Sequence, residues 1–197
     1  MKTGAFSRFK NVHAHDITGE DVLTNICVGT DFQLQAAGSA YYSAGIHPWD
    51  TQHISCEDFK SLRRLAMDER VVAIGECGFD ALRGADEETQ TRIFMLHVRL
   101  SERLGKPLVI HCVKRYGLLM KLHSELHPRQ PWLIHGFRGK PELARQLAAQ
   151  GFLISLGERF NAGVPAVVPA NQLYAETDTS QVAIELIIDK IENILRN

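Results

Sequence analysis

Residues 11–16 read N-V-H-A-H-D, and the interpretation of the whole chain turns on them. They follow Phe9-Lys10, where a first buried strand would run. Successive side chains of a strand point to opposite faces, so His13 and His15 project to one side while Val12 and Ala14 face the other. Two neutral imidazoles on one rigid strand can share a divalent ion. An isolated H-x-H is more often a pair of surface or core histidines. The downstream pattern reverses that preference, because later apolar runs also end in metal-capable residues.

Those runs cover 23–29, 41–47, 71–75, 107–112, 132–135, 152–157 and 172–178. They are short, rich in β-branched residues and bounded by Gly or Pro, as buried parallel strands are. Between them, 57–69, 87–104, 116–127, 141–150 and 181–195 carry apolar residues at helical spacing. The connections 17–22 and 31–40 are thin. Eight strands alternating with helices predict a (β/α)8 TIM-type barrel, trimmed and with room to lack one helix. A doubly wound open sheet is the alternative that periodicity leaves open.

Length and composition agree with one domain across 1–197, since 197 residues with 45% apolar content can bury a sizeable core. Lys+Arg 22 against Asp+Glu 23 leaves a formal charge of -1, which excludes a basic footprint for tight, non-specific duplex binding. Cys27, Cys56, Cys77 and Cys112 form no C-x-x-C pair, as expected of a reduced cytoplasmic chain. The first ten residues lack the apolar core of a signal peptide and no run approaches a membrane span, so no membrane partner is expected. The sequence names no protein partner.

In a barrel of this kind the active site lies at the carboxyl ends of the strands. His13 and His15 end the first expected strand, Glu76 follows the fourth, and His111, His135 and Asp178 end the fifth, sixth and eighth. Four imidazoles, one carboxylate able to bridge and one aspartate suit two adjacent divalent ions. Paired metals lower the pKa of bound water and stabilise attacking and leaving oxygens.

The chain resembles the TatD family of metal-dependent hydrolases, in the amidohydrolase superfamily. The matching pieces are H-A-H at 13–15, G-I-H-P at 45–48, I-G-E-C-G-F-D at 74–80, V-I-H at 109–111, I-H-G-F-R-G at 134–139 and E-T-D at 176–178. Gln90, Phe94, His97, Leu100 and Leu104, followed by Pro107, match the helix ahead of the fifth strand. The resemblance implies that His13, His15, Glu76 and Asp178 hold one metal. Glu76 would bridge to a second ion held by His111 and His135, with Asp178 as general base. His47 would lie near the substrate or behind the ligands. It further implies a phosphoester substrate such as DNA ends, with zinc, manganese or magnesium as the two divalent metal ions. Hydrolysis of an amide or lactone, and a non-catalytic barrel acting as a binding module, are the rival readings.

Three positions depart from the family pattern. Asn11 stands where an aspartate is usual two residues before the first histidine, and an amide oxygen could still orient an imidazole by accepting its N–H. Val113 replaces an arginine, leaving Lys114, Arg115, Arg138 and Arg159 as cations that could meet a phosphate. After E-T-D, Thr179-Ser180 leads straight into a final helix, which implies a shorter cleft. Asp80 is expected to orient a ligand, contact substrate or cap a loop, and Trp49 to pack as a lid or stack on a base. His97 reads as structural, and Cys77 and Cys112 as packing residues turned away from the centre.

Overall fold

The computed structural model describes residues 4–29 and 40–196. Eight parallel strands form one sheet in sequence order. They are β1 (Asn11–Ala14), β2 (Val22–Cys27), β3 (Tyr41–Gly45), β4 (Val71–Asp80), β5 (Leu108–Val113), β6 (Trp132–Ile134), β7 (Leu153–Leu156) and β8 (Leu173–Ala175). A parallel bridge between Ala14 and Asp178 joins the first strand to the segment after the last. The sequential order and this closure make a (β/α)8 barrel and exclude the open doubly wound sheet.

The helices are α1 (Cys56–Leu65), α2 (Glu87–Leu104), α3 (Tyr116–Leu126), α4 (Pro141–Ala149) and α5 (Ile184–Arg196). Ser55 and Asp58 close a reciprocal capping box at the start of α1. Asp86 caps α2, which stops at Gly105 in the left-handed conformation. The connection 15–21 carries no helix, and the one before β8 carries only a 3-10 turn, Pro165–Val167. The thin connection expected at 31–40 falls almost wholly outside the described residues. No helix among the described residues is long and apolar enough to cross a membrane.

Strand periodicity builds the interior in layers. Leu23, Tyr41, Ala73, Val109, Leu133, Leu153 and Tyr174 belong to one apolar cluster, which Phe6 and Phe9 join from the chain ahead of β1. Two residues further along the same strands stand Asn25, Ser43, His111, His135, Ser155 and Glu176. Six of the eight strands thus supply an apolar floor residue and then a polar one nearer the mouth. In β4 simple alternation would put Gly75 in the polar layer. The pairing of β4 with β5 shifts register between Ile74 and Cys77, and Glu76 is the residue turned inward. Irregular pairing of this kind re-aims side chains beside active sites. A Cβ at Gly75 would lie 2.2 Å from the Val109 carbonyl oxygen, so only glycine permits that approach.

The outward-facing strand residues pack under the helices. Phe79, Phe94 and Trp132 lie in the largest cluster, with ring centroids 4.9 Å apart for Phe79–Phe94 and 5.2 Å for Phe94–Trp132. Tyr42, Ala44 and Ile46 pack with Leu62 of α1 and Ile93 of α2.

Candidate metal centre

The Glu76 carboxylate lies at the centre of the barrel mouth and is almost fully buried. Its Oε2 lies 3.4 Å from His13 Nε2 and 3.6 Å from His15 Nε2. Asp178 Oδ1 completes that side, 3.4 Å from His15 and 3.8 Å from His13. Glu76 Oε1 lies 2.6 Å from His135 Nε2, 2.9 Å from His111 Nδ1 and 3.1 Å from His47 Nε2. The sets His13–His15–Asp178, His13–Glu76–His135 and His47–Glu76–His111 each bring their donor atoms close enough to hold a metal ion.

Backbone contacts hold these groups in place. Asn25 Oδ1 accepts the Glu76 N–H at 2.8 Å and the Ser43 hydroxyl at 3.0 Å, tying β4 to β2 and β3. Asp178 donates its N–H to the His13 carbonyl, and His15 donates to the Asp178 carbonyl, so the barrel closure itself positions three site residues. Asp178 has φ of 53°, a left-handed conformation uncommon outside glycine and often found at functional positions.

Burial and the opposed charges act against each other. Burial pushes the Glu76 carboxyl up, but His135, His111 and His13 together hold it well below the usual range. Burial also lowers His135, yet Glu76 and Glu176 carry it well above an ordinary histidine. Burial, aided by the His135 charge, keeps His13 below its ordinary value. Hydrogen bonding to Asp178 and Glu76 raises His15 to about 9. For Asp178 burial acts upward, but His15, His135 and His13 outweigh it and favour the ionised form.

A family model described as TatD related DNase matches residues 21–182. The chain belongs to the TatD family. Among its relatives is the 3'-5' ssDNA/RNA exonuclease TatD of Cronobacter sakazakii, 32% identical over 153 residues, 69% of this chain and 56% of that protein. The protein of the same name from Cronobacter turicensis is 31% identical over 164 residues, 75% of this chain and 59% of that one. The chain spans little more than half the length of these curated relatives. A TatD family hydrolase from Entamoeba histolytica superposes with a TM-score of 0.67 at 24% identity, covering 80% of this chain and 61% of the other. A TatD homologue from Escherichia coli K12 gives 0.60 at 20% identity, covering 78% and 74%. These two likenesses show the shared fold.

Against the TatD pattern, His13, His15, Glu76, His111, His135 and Asp178 do converge. Strand bounds differ from the sequence reading: Glu76 lies inside the ten-residue β4 rather than after it, and Asp178 lies three positions beyond β8. His47 reaches Glu76, but its Nδ1 accepts the Trp49 N–H at 3.2 Å, which leaves the ring proton on Nε2. That tautomer makes His47 a donor to Glu76.

Asn11 does not orient an imidazole. Its Oδ1 accepts the backbone N–H of Thr177 at 3.1 Å and of His13 at 3.4 Å, and its Nδ2 donates to Thr177 Oγ1 at 2.7 Å. The amide therefore fastens β1 to the chain after β8. Asp80 caps its loop by accepting the Leu82 N–H at 2.7 Å and stands behind a ligand residue, 3.2 Å from His111 Nε2.

The cleft over the site has a volume of about 280 Å³ and is lined by His15, Cys27, His47, Trp49, Asp50, Glu76, His111, His135, Asp178 and Thr179. Lys114, Arg115, Arg138 and Arg159 are not in that lining, and Arg115 pairs with Glu87 at 2.8 Å. Arg83 is not in the lining either, but its guanidinium lies 4.3 Å from the ring centre of Trp49, which is. Trp49 Nε1 in turn donates to Asp80 Oδ2 at 2.7 Å. Sequence reading missed Arg83, Asn25 and the cleft position of Cys27. Arg83 follows E-C-G-F-D by three residues, which was the available signal.

Proposed function

We propose that this chain is a metal-dependent phosphoester hydrolase that acts on nucleic-acid ends and holds two divalent ions on either side of Glu76. One observation supports this most: the two oxygens of a single buried carboxylate face two different sets of imidazoles. His13, His15 and Asp178 would hold one ion, and His111 and His135 the other, with Glu76 shared. The donors fit such ions, because neither ring nitrogen of the fully buried His13 makes a hydrogen bond. A buried polar atom left unpaired is costly, and a cation on the Nε2 lone pair removes that cost. A set dominated by imidazole favours zinc over magnesium.

Such ions supply a water acidified to near neutral pH and charge neutralisation at the phosphate. The protein's own groups do the rest. Asp178 is held ionised and faces the cleft, so its carboxylate can take a proton from the attacking water. His47 holds Glu76 through Nε2–H and fixes the direction of its carboxylate. Arg83, pre-oriented on Trp49, steadies the phosphate, and the indole offers a face for a terminal base. A cleft of about 280 Å³ suits one terminal nucleotide, in keeping with a chain of formal charge -1. The names of the relatives, ssDNA/RNA exonucleases, support the same substrate class.

The test is metal-reloaded protein on end-labelled single-stranded DNA and RNA, run beside lactone and cyclic amide substrates. Stepwise release of mononucleotides that chelation stops and reloading restores is the expected result. Turnover of the lactone or amide alone would overturn the assignment.

A further inference from the structure

Behind His135 lies a carboxylate that the site described above does not use. Glu176 is completely buried. Its Oε2 accepts the Ser155 hydroxyl from β7. Its Oε1 has no hydrogen-bond partner, and neither does the buried Nδ1 of His135. These two unpaired atoms lie 3.4 Å apart. The backbone makes room for the carboxylate: a Cβ on Gly136 would come 3.4 Å from Oε1, and one on Gly157 3.8 Å from the Glu176 side chain.

An acid in so dry a place is costly unless something pairs with it. Ser155 satisfies one oxygen, and the nearest donor for the other is the His135 ring. We infer that Glu176 is a positioning residue that keeps a proton on His135 Nδ1 and turns Nε2 to the shared carboxylate Glu76. His111 has a parallel arrangement, with Asp80 behind Nε2 and Nδ1 facing Glu76. Of the three imidazoles on the Oε1 side of Glu76, His135 and His111 therefore have a carboxylate at their back, which fixes the ring and makes the inner nitrogen more basic, while His47 has the Trp49 N–H there. His13 has none, since its Nδ1 is unpaired. For its consequence, though not for its geometry, the inference rests on the metal-site reading.

The experiment compares the wild type with Glu176→Gln, which keeps an acceptor, and Glu176→Met, which keeps length and loses it. Proton–nitrogen spectra of the histidine-labelled, metal-free protein should show a slowly exchanging, downfield His135 Nδ1 proton. That signal should weaken in the Gln variant and vanish in the Met variant. Cobalt(II) titrations should give a dissociation constant about tenfold weaker for Gln and up to about a hundredfold weaker for Met, the range seen when such outer partners are removed. Melting temperatures of the metal-free variants should not follow this order, as they would if Glu176 served only packing. Unchanged proton signal and affinity in both variants would overturn the inference. If neither variant folds, Ser155→Ala, which frees Glu176 from its anchor, must broaden the same proton signal, and an unchanged signal there also overturns it. A wild type that binds no cobalt would defeat the metal reading alone, because the proton signal still decides the Glu176 contact.

Discussion

The half of the barrel from β3 to β6 and the half from β7 round to β2 are built differently. In the first, β4 runs for ten residues though β6 has only three, and α1 to α3 cover the strands, α4 lying on β7 instead. In the second, β8 has three residues and β1 and β7 have four, and the described connections 15–21 and 157–172 hold no α-helix. Helix-covered strands bury apolar area on both faces, and that burial dominates folding stability. Yet the site draws on both halves, with Glu76, His111 and His135 from the first and His13, His15 and Asp178 from the second. The well-covered half supplies rigidity, and the thin half supplies groups held by hydrogen bonds across the closure.

Six substitutions probe that contrast, in falling order of effect. Glu76→Ala removes the one group that serves both halves. Hydrolysis should fall by more than about a thousandfold, metal content should drop, and the circular dichroism of the fold should persist. Retained activity would refute the shared-carboxylate assignment. Asp178→Asn acts in the thin half, on chemistry. Turnover should fall about 10²–10⁴-fold with little change in KM, and a defect confined to KM would give Asp178 a binding role instead.

Phe94→Ala acts in the thick half, on stability. Denaturant unfolding should show a loss of about 3–5 kcal/mol, against about 1–2 kcal/mol for Val168→Ala beside β8. Equal losses would erase the distinction between the halves.

His97 adds a pH signature to the thick half. Its Nε2 accepts the Ile46 N–H at 3.0 Å and its Nδ1 donates to the Ile93 carbonyl at 2.9 Å, so the neutral ring is fully satisfied and also holds the chain leading into His47. Burial lowers this histidine from 6.5 to about 4. The unfolded chain therefore takes up the proton first. Stability is full above about pH 6.5 and falls as pH drops towards 4, by about 3 kcal/mol at most. His97→Gln should flatten that slope in the metal-free protein, and an unchanged slope would place the titrating group elsewhere. Arg83→Ala should have the smallest effect, a KM raised about three- to tenfold with turnover nearly kept, and no change would remove Arg83 from the substrate path.

Much of the fold was legible because strand and helix periods are local. The spacing of short apolar runs identified eight strands, and 87–104 matched α2 end to end. Of the six residues read as ligands, His15, His135 and Asp178 lie just past strand ends while His13, Glu76 and His111 lie inside β1, β4 and β5, and all six face one mouth. The cations after those strand ends were not legible in the same way. Arg115 turns to Glu87, and Lys114 and Arg138 stand outside the cleft lining, because loop direction is set by neighbouring elements. Asn11 was read for its neighbour His13, whereas its amide meets Thr177, 166 positions away.

By itself the sequence determined the order of elements, the apolar and polar layers of the strands and the residue types offered at the mouth. These depend on the pattern of near neighbours along the chain. Only the tertiary structure decided that Glu76 rather than Gly75 turns inward, that Arg83 rests on Trp49, and that Glu176 stands behind His135. Each of these is a contact between distant segments, brought together by a shift of strand register or by closure of the barrel, and no local period encodes it.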